Sequence, residues 1–410
     1  MDFKDFQTLV IGGGIAGITA AVELAETGIR VALVEKEPYL GGNVSKLNNY
    51  FPKLCPPSCG LEINYRRIRS NPGITCITGA EATNIEGSEG DFRVKVSLAP
   101  ALINTKCTAC GKCAEVCPSE QLPEPGSAIA KRSAYIRSSL PFPFKYAIDP
   151  ETCLGEVCKK CIEVCEYDAI NLGAKASQIE LKARNVIVST GWESYDATRI
   201  ENYCYAGEPD VVTNMEFEKL LSTCTKEGKR LGRPSDGKFP ESIAFVQCAG
   251  SRDVKYLSYC SAVCCTASVK HALTLAEAYP DLKSEIFYID LRLQGRNEKL
   301  LSKAEETPTI TLTKGKVGRI EKRGHEVILE VEDILAGRKR MESFHMVVLA
   351  TGMVPSKVLP DLSVNQEGFL NAVQKRGIYP TSSCRRPMDV TSSVKDATAT
   401  VLRSMKKDHE

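Results

Sequence analysis

Eight cysteines lie between residues 107 and 165 in two runs. Cys107, Cys110, Cys113 and Cys117 read C-x2-C-x2-C-x3-C-P, and Cys153, Cys158, Cys161 and Cys165 read C-x4-C-x2-C-x3-C. Three thiols at such steps, with a fourth just beyond, suit a cubane, so two runs predict two 4Fe–4S clusters. The fourth cysteine of each run then crosses to the other cluster. Few sequence features constrain a fold so tightly, because this stretch has to wrap two inorganic cores. The alternative is a pair of zinc ribbons, which prefer separated C-x2-C knuckles to three cysteines at steps of three. Such a module is small, and the chain around it has 410 residues.

Residues 7–35 read QTLVIGGGIAGITAAVELAETGIRVALVE. A strand over residues 8–11 runs into Gly12-x-Gly14-x-x-Gly17, a helix follows, and a second strand over residues 30–34 ends at Glu35. Strand, glycine turn, helix, strand and acid in this register make a dinucleotide fingerprint. Gly12 makes the tight turn, Gly14 admits the pyrophosphate and Gly17 lets the helix pack on the strand. The phosphates sit on the helix N-terminus and Glu35 meets the ribose hydroxyls. Ala16 and Lys36, inside and just after the motif, complete the candidate cofactor set here. The motif alone does not separate FAD from NAD.

Near the middle of the chain a second unit of this kind is predicted, with strands over residues 242–247 and 285–290 and a helix over 266–278. Its connecting loop carries Cys248, Cys260, Cys264 and Cys265 where a phosphate loop belongs. Four thiols in that place predict a third 4Fe–4S cluster; buried structural cysteine is the alternative. Two adjacent cysteines reach one cubane only if the chain turns sharply between them.

Two buried strands end in Thr-Gly: NVIVSTG, with Thr190 and Gly191, and MVVLATG, with Thr351 and Gly352. With these the chain resembles the two-dinucleotide-binding flavoproteins of thioredoxin reductase type. The fold implied is α/β, Rossmann-type, with an inserted two-cluster ferredoxin domain. The resemblance assigns FAD to the N-terminal fingerprint and has both Thr-Gly strands return the chain to the FAD domain. It places EPYLGGN, with Gly42 and Asn43, near the flavin phosphates, and Asp389 before the last helix, near the flavin. As an N-cap, Asp389 has an equally good structural reading.

The implied organisation is an FAD domain over residues 1–99, the ferredoxin insert over 100–175, and a return to the FAD domain over 176–200. A degenerate NAD(P)-type domain follows over 201–339, and the last part of the FAD domain over 340–410. Between the cysteine runs, residues 118–150 form a long connection with Lys131, Arg132 and Arg137, either a partner contact or a solvated loop.

The C-x11-C-x3-C-C pattern, with QCAGSRD, YCSAVCC and YIDLR around it, makes the whole chain similar to the A subunit of heterodisulfide reductase. Its shortened form and the segment FPKLCPPSC resemble, more narrowly, the A subunit of the quinone-interacting membrane-bound oxidoreductase of sulfate reducers. That resemblance implies three partners: a second flavin and iron–sulfur protein, a haem and quinone-reactive membrane protein, and adenylylsulfate reductase. It further implies a cytoplasmic chain, peripheral to the membrane through partner subunits, and leaves flavin-based bifurcation open. Cys55 and Cys59, as C-x3-C, are a redox disulfide, orphaned cluster ligands or a bridge to a partner. Cys76, Cys204, Cys224 and Cys384 read as structural, with Cys384 expected near the flavin edge.

Composition removes other classes. A net charge of +2 gives no footprint for nucleic acid, and no apolar run approaches membrane-spanning length. Eighteen cysteines in a chain of this length point to metal-bound thiolates in a reducing compartment rather than to a secreted disulfide scaffold. No nucleophile–base pair is legible, and the four histidines form no cluster in sequence, so the expected chemistry is electron transfer. The rival is an NAD(P)H-dependent flavoprotein with ferredoxin clusters, like glutamate synthase small subunits, which needs a second phosphate loop.

Overall fold

A computed structural model describes residues 5–121, 132–137, 140–357 and 359–406; Lys131 lies outside them. The chain opens with β1 (Asp5–Ile11), α1 (Ile15–Glu26) and β2 (Val31–Glu35), followed by α2 (Pro57–Ser70), β3 (Ile74–Thr78) and the antiparallel pair β4 (Ala80–Ser88) and β5 (Asp91–Leu98). The insert contributes only short pieces: α3 (Lys112–Glu115), β6 (Ala134–Tyr135), β7 (Ala147–Ile148) and α4 (Lys160–Glu163). The chain then re-enters the sheet through β8 (Ser177–Val188).

The first sheet has the order β3-β2-β1-β8-β5-β4. β2 is buried along its whole length, as expected of a parallel strand covered on both faces. β8 is longer than its apolar end suggests. Its first half alternates in burial and pairs antiparallel with β5, Leu98 opposite Ser177, while its second half pairs parallel with β1, Thr8 opposite Asn185. The whole insert is thus spliced between two cross-strand neighbours.

The second sheet is built from β10 (Val211–Thr213), α5 (Asn214–Glu227), β11 (Ser242–Ala249), α6 (Cys264–Ala278), β12 (Lys283–Tyr288), α7 (Glu298–Glu305), β13 (Ile310–Arg323), β14 (Glu326–Asp333), β15 (Arg338–Phe344) and β16 (Met346–Thr351). Its order is β10-β16-β11-β12-β13-β14-β15. The two domains are joined by the antiparallel pair β9 (Trp192–Ser194) and β17 (Met353–Pro355), Val354 opposite Glu193. β18 (Ile378–Pro380) then pairs with β8, and α8 (Val390–Met405) packs on α1.

This corrects one expectation. The MVVLATG strand does not return the chain to the first domain: β16 lies between β10 and β11, parallel to both, inside the second sheet and next to its edge strand. Periodicity identifies a fully buried parallel strand but does not say which sheet takes it. Residues 338–351 therefore belong to the second sheet, and the return is made by β17 and β18. Among the described residues no helix is long and apolar enough to cross a membrane.

Candidate flavin cavity and cysteine sites

The β1–α1 turn behaves as its glycines require. A Cβ on Gly12, at φ +102°, would lie 2.3 Å from the Ser189 carbonyl oxygen, and one on Gly17 would lie 1.8 Å from that of Gly12. A Cβ on Gly14 meets nothing within 4 Å, because Gly14 faces open space. That space is one end of a cavity of about 600 Å³ lined by Gly12, Gly14, Ala16, Glu35, Lys36, Gly42, Asn43, Thr190, Gly191 and Asp389, among others. Gly42, at φ +54°, comes close enough that a Cβ would be 3.0 Å from the Gly14 α-carbon.

Glu35 is 6% exposed. Its Oε2 accepts the Gly13 amide at 2.6 Å and its Oε1 the Glu37 amide at 2.8 Å, so the acid braces the glycine turn as well as lining the cavity. Burial pushes its pKa up, opposed by those two amides. The Thr190 hydroxyl is buried without a hydrogen-bond partner on the cavity wall. A glycine cradle open at Gly14, an acid at the end of β2 and an unpartnered hydroxyl fit an FAD.

Three residues of the expected set take other places. Gly17 is a packing residue outside the cavity lining, consistent with its expected role. Thr351 and Gly352 are corrections: the Thr351 hydroxyl donates to Asn214 Oδ1 at 3.0 Å, and Gly352 faces the Ser251 and Ser261 hydroxyls. Neither lines the cavity, because β16 joined the other sheet. Asp389 keeps both its readings. Its Oδ1 accepts the Ser392 amide at 2.6 Å as the N-cap of α8, and the residue lines the cavity. Cys384 is fully buried and its thiol donates to the Thr381 carbonyl at 2.9 Å, a structural role.

The cavity wall also holds a group that the sequence did not reveal. Glu218 of α5 and Lys270 and His271 of α6 all line it, and their side chains are 4%, 4% and 1% exposed. Lys270 Nζ meets Glu218 Oε1 and donates to the Asn49 carbonyl at 2.8 Å; His271 Nε2 lies 2.8 Å from the same Glu218 oxygen. Glu218 Oε2 accepts the Asn48 amide at 2.9 Å. Burial lowers the Lys270 pKa to about 7, and burial together with the Lys270 charge holds His271 well below its ordinary value. The available signal was the Lys-His pair, the two basic residues of a helix that is otherwise apolar but for Thr266, Ser268, Thr274 and Glu277.

In the insert, Cys107, Cys110 and Cys113 line a small cavity together with Cys165 of the other run. Cys161, conversely, is raised by burial and then by Cys153, Cys117 and Cys158. Each group of four therefore contains three cysteines of one run and the last of the other, the crossed arrangement. Burial and the nearby Cys107, Cys110 and Cys161 push Cys113 up to about 12, so its thiolate calls for a positive core beside it. Among the described residues no three His, Cys, Asp or Glu side chains close on a single metal ion.

At the second sheet, α6 begins at Cys264 itself, two residues before the expected start. Both adjacent cysteines are therefore in its first turn, about 100° apart around the axis, which supplies the change of direction that two ligands in succession need. Burial raises Cys264, and Cys265, Cys248 and Cys260 raise it further. The loops of all three sites share one local shape. Ala109, Gly155 and Ala262, each two residues after a cysteine, have φ of 58°, 65° and 59°. Their amides donate to Cys107, Cys153 and Cys260 Sγ at 3.4, 3.4 and 3.3 Å. Two alanines held left-handed are strained by about 1 to 2 kcal/mol each, and amide donors to sulfur are what a cluster thiolate uses.

Cys264 also joins this site to the cavity. It packs in one apolar cluster with Val263, Met353, Phe51 and Trp192, all four of which line the cavity. Cys55 and Cys59 flank the start of α2, and the Cys55 carbonyl accepts the amide of cavity-lining Tyr50 at 3.0 Å. Both thiols are free, Cys59 is exposed, and both help raise the pKa of Tyr50, after burial.

Fold and site together define a flavoprotein class: a thioredoxin-reductase-like FAD oxidoreductase carrying iron–sulfur clusters. Residues 7–57 match the family model for FAD dependent oxidoreductase, and residues 103–173 that for the 4Fe-4S dicluster domain. The fold is shared with the thioredoxin reductase of T. acidophilum, at 13% identity and a TM-score of 0.52 over 98% of this chain and 97% of that one. Lactococcus lactis thioredoxin reductase gives 14% and 0.51, with 97% of each chain covered.

More specifically, the chain is similar to the A subunits of heterodisulfide reductases. It is 38% identical over 357 residues to the A subunit of the ferredoxin:CoB-CoM heterodisulfide reductase of Methanosarcina mazei, covering 86% of this chain and 45% of that protein. It is 32% identical over 422 residues to the A subunit of the H(2):CoB-CoM heterodisulfide,ferredoxin reductase of Methanothermobacter marburgensis, covering 98% and 63%. The chain thus spans between about half and just under two thirds of these relatives' own lengths.

Proposed function

We propose that this chain is an electron-transfer component of a larger oxidoreductase, with FAD in the 600 Å³ cavity and three 4Fe–4S clusters on the three cysteine sets. The carrying observation is the place of Cys264, in one apolar cluster with four cavity-lining residues, at the start of the helix that follows the loop standing where a nicotinamide phosphate loop belongs. FAD, when bound, exchanges electrons in pairs or singly and so links two-electron with one-electron carriers. The protein's own part is positional. Gly12, Gly14 and Gly17 shape the pyrophosphate cradle, Glu35 braces it, and Cys248, Cys260, Cys264 and Cys265 set a cluster against the opposite wall. Lys270, lowered by burial to about 7, can hold or release a proton at that wall near neutral pH, with Glu218 and His271 fixing its place.

Partners follow from similarity. The narrower reading is the A subunit of a quinone-interacting complex, passing electrons between a quinone-reactive membrane module and adenylylsulfate reductase in the cytoplasm. It rests on the segment containing Cys55 and Cys59. The names of the relatives favour a second reading, a heterodisulfide-reductase-type complex. Co-purification of the native complex separates the two: a haem-bearing membrane protein supports the first, and cytoplasmic iron–sulfur partners alone support the second.

The cofactor reading is tested by anaerobic purification with flavin, iron and sulfide quantified. The expected result is one FAD and about twelve irons per chain, four per cubane. About eight irons would remove the third cluster, and an iron-free chain would overturn the scheme. Rapid bleaching of the flavin by NADH or NADPH would favour the nicotinamide-dependent rival instead.

A further inference from the structure

The insert does more than hang from the sheet, because it reaches into the cavity. Arg137, in the connection between the two cysteine runs, lines the same end of the cavity as Glu35, Lys36 and Glu37. Its guanidinium pairs with the Glu37 carboxylate and lies 5.9 Å from the Tyr39 ring centroid. Burial opposes ionisation of Glu37, and the Arg137 charge and hydrogen bond overcome it, so the carboxyl is held below its ordinary value.

The surrounding seam fixes the arginine. The Tyr39 hydroxyl reaches the carbonyls of Lys145 at 2.9 Å and Tyr135 at 3.2 Å, and the Leu40 amide donates to the Phe142 carbonyl at 2.8 Å. The Phe142 ring stacks on Tyr65 of α2 at 5.2 Å. Residues just after β2 are thus gripped by the insert on both sides of Arg137. In a fingerprint of this kind, the acid ending the second strand marks the adenosine ribose. A guanidinium carries five donors in one plane, enough to serve a carboxylate and a ribose or phosphate oxygen together.

We propose that Arg137 binds the adenosine half of FAD, so that the iron–sulfur insert forms part of the flavin site and flavin binding holds the insert in place. This rests on the FAD reading above. Because linkage is reciprocal, a residue of the insert that tightens FAD must itself be tightened by FAD.

The test is titration of flavin-depleted, cluster-loaded protein with FAD and with ADP, which supplies only the adenosine half. Arg137→Ala should weaken both by about tenfold, the effect of losing one charge-assisted hydrogen bond, with Arg137→Lys between it and the wild type. FAD should slow amide exchange over residues 140–148 in the wild type and do so much less in Arg137→Ala. Unchanged FAD and ADP affinity in Arg137→Ala overturns the proposal and leaves the ion pair a mere fastening. Should Arg137→Ala lose iron, Arg137→Lys decides: it keeps the charge and should still bind ADP more weakly than the wild type, and equal affinity overturns the proposal. A wild-type chain that takes up no FAD sinks the flavin reading as well.

Discussion

His271 Nε2 and Lys270 Nζ converge on a single oxygen, Oε1 of Glu218, within the cavity wall. Two neighbouring residues of α6 are thereby tied to α5 and, through the Asn48 amide and Asn49 carbonyl, to the first domain. The triad ties the two domains together where the flavin is proposed to lie.

This geometry has a pH signature. Between the folded Lys270 value of about 7 and the ordinary 10.5, the unfolded chain binds a proton that the folded one has released. Stability attributable to this site therefore rises with pH across that window. Lys270→Met abolishes the slope, so melting curves at pH 7 and pH 9.5 should diverge in the wild type's favour at the higher pH. His271, kept neutral by burial, acts below its ordinary 6.5, where the unfolded chain takes up a proton and acid destabilises the fold.

The glycines of the fingerprint should separate folding from binding. Gly17→Ala drives a methyl into the Gly12 carbonyl and should destabilise the domain by more than about 2 kcal/mol. Gly14→Ala meets no protein atom, so its stability should stay within about 0.5 kcal/mol of the wild type while flavin content falls. Equal loss of stability in both variants contradicts this division.

Each cysteine set should be removable alone. Cys260→Ser is expected to lower iron by about four per chain and leave the flavin and the other two clusters in place. The crossed arrangement makes a sharper statement about Cys117: Cys117→Ser should perturb the same cluster signal as Cys158→Ser, not the one lost in Cys110→Ser. Electron paramagnetic resonance of the reduced protein checks the pairing.

Tyr39→Phe removes the hydroxyl that spans Tyr135 and Lys145 of the insert. The expected loss is about 0.5 to 1.5 kcal/mol, felt at the seam rather than in either core. Limited proteolysis should cut faster in the insert while global melting changes little.

What the sequence disclosed was local. Gly12, Gly14, Gly17 and Glu35 act within one β–α–β unit, and ligand spacing in Cys107–Cys117 and Cys153–Cys165 is set by turns of a few residues, so both were legible. The grouping of Cys248, Cys260, Cys264 and Cys265 was legible by position, since they stand where a phosphate loop belongs. The misplaced elements were long-range. Val347 and Ile187 are equally buried in similar apolar strands, yet one pairs in the second sheet and the other in the first. Glu218 and His271 are 53 residues apart, and Arg137 lies 100 residues from Glu37. Sequence spacing carries no signal for such meetings.

Leu98 and Ser177, the residues at which the insert leaves and rejoins the sheet, face each other across two adjacent strands. An excursion that starts and ends at one rung does not alter the register of any strand. A chain of this architecture can therefore gain, lose or exchange its two-cluster module in a single genetic event, with a short hairpin closing the gap. Redox wiring becomes a replaceable part, and only the side chains that reach back across the seam have to evolve with the host.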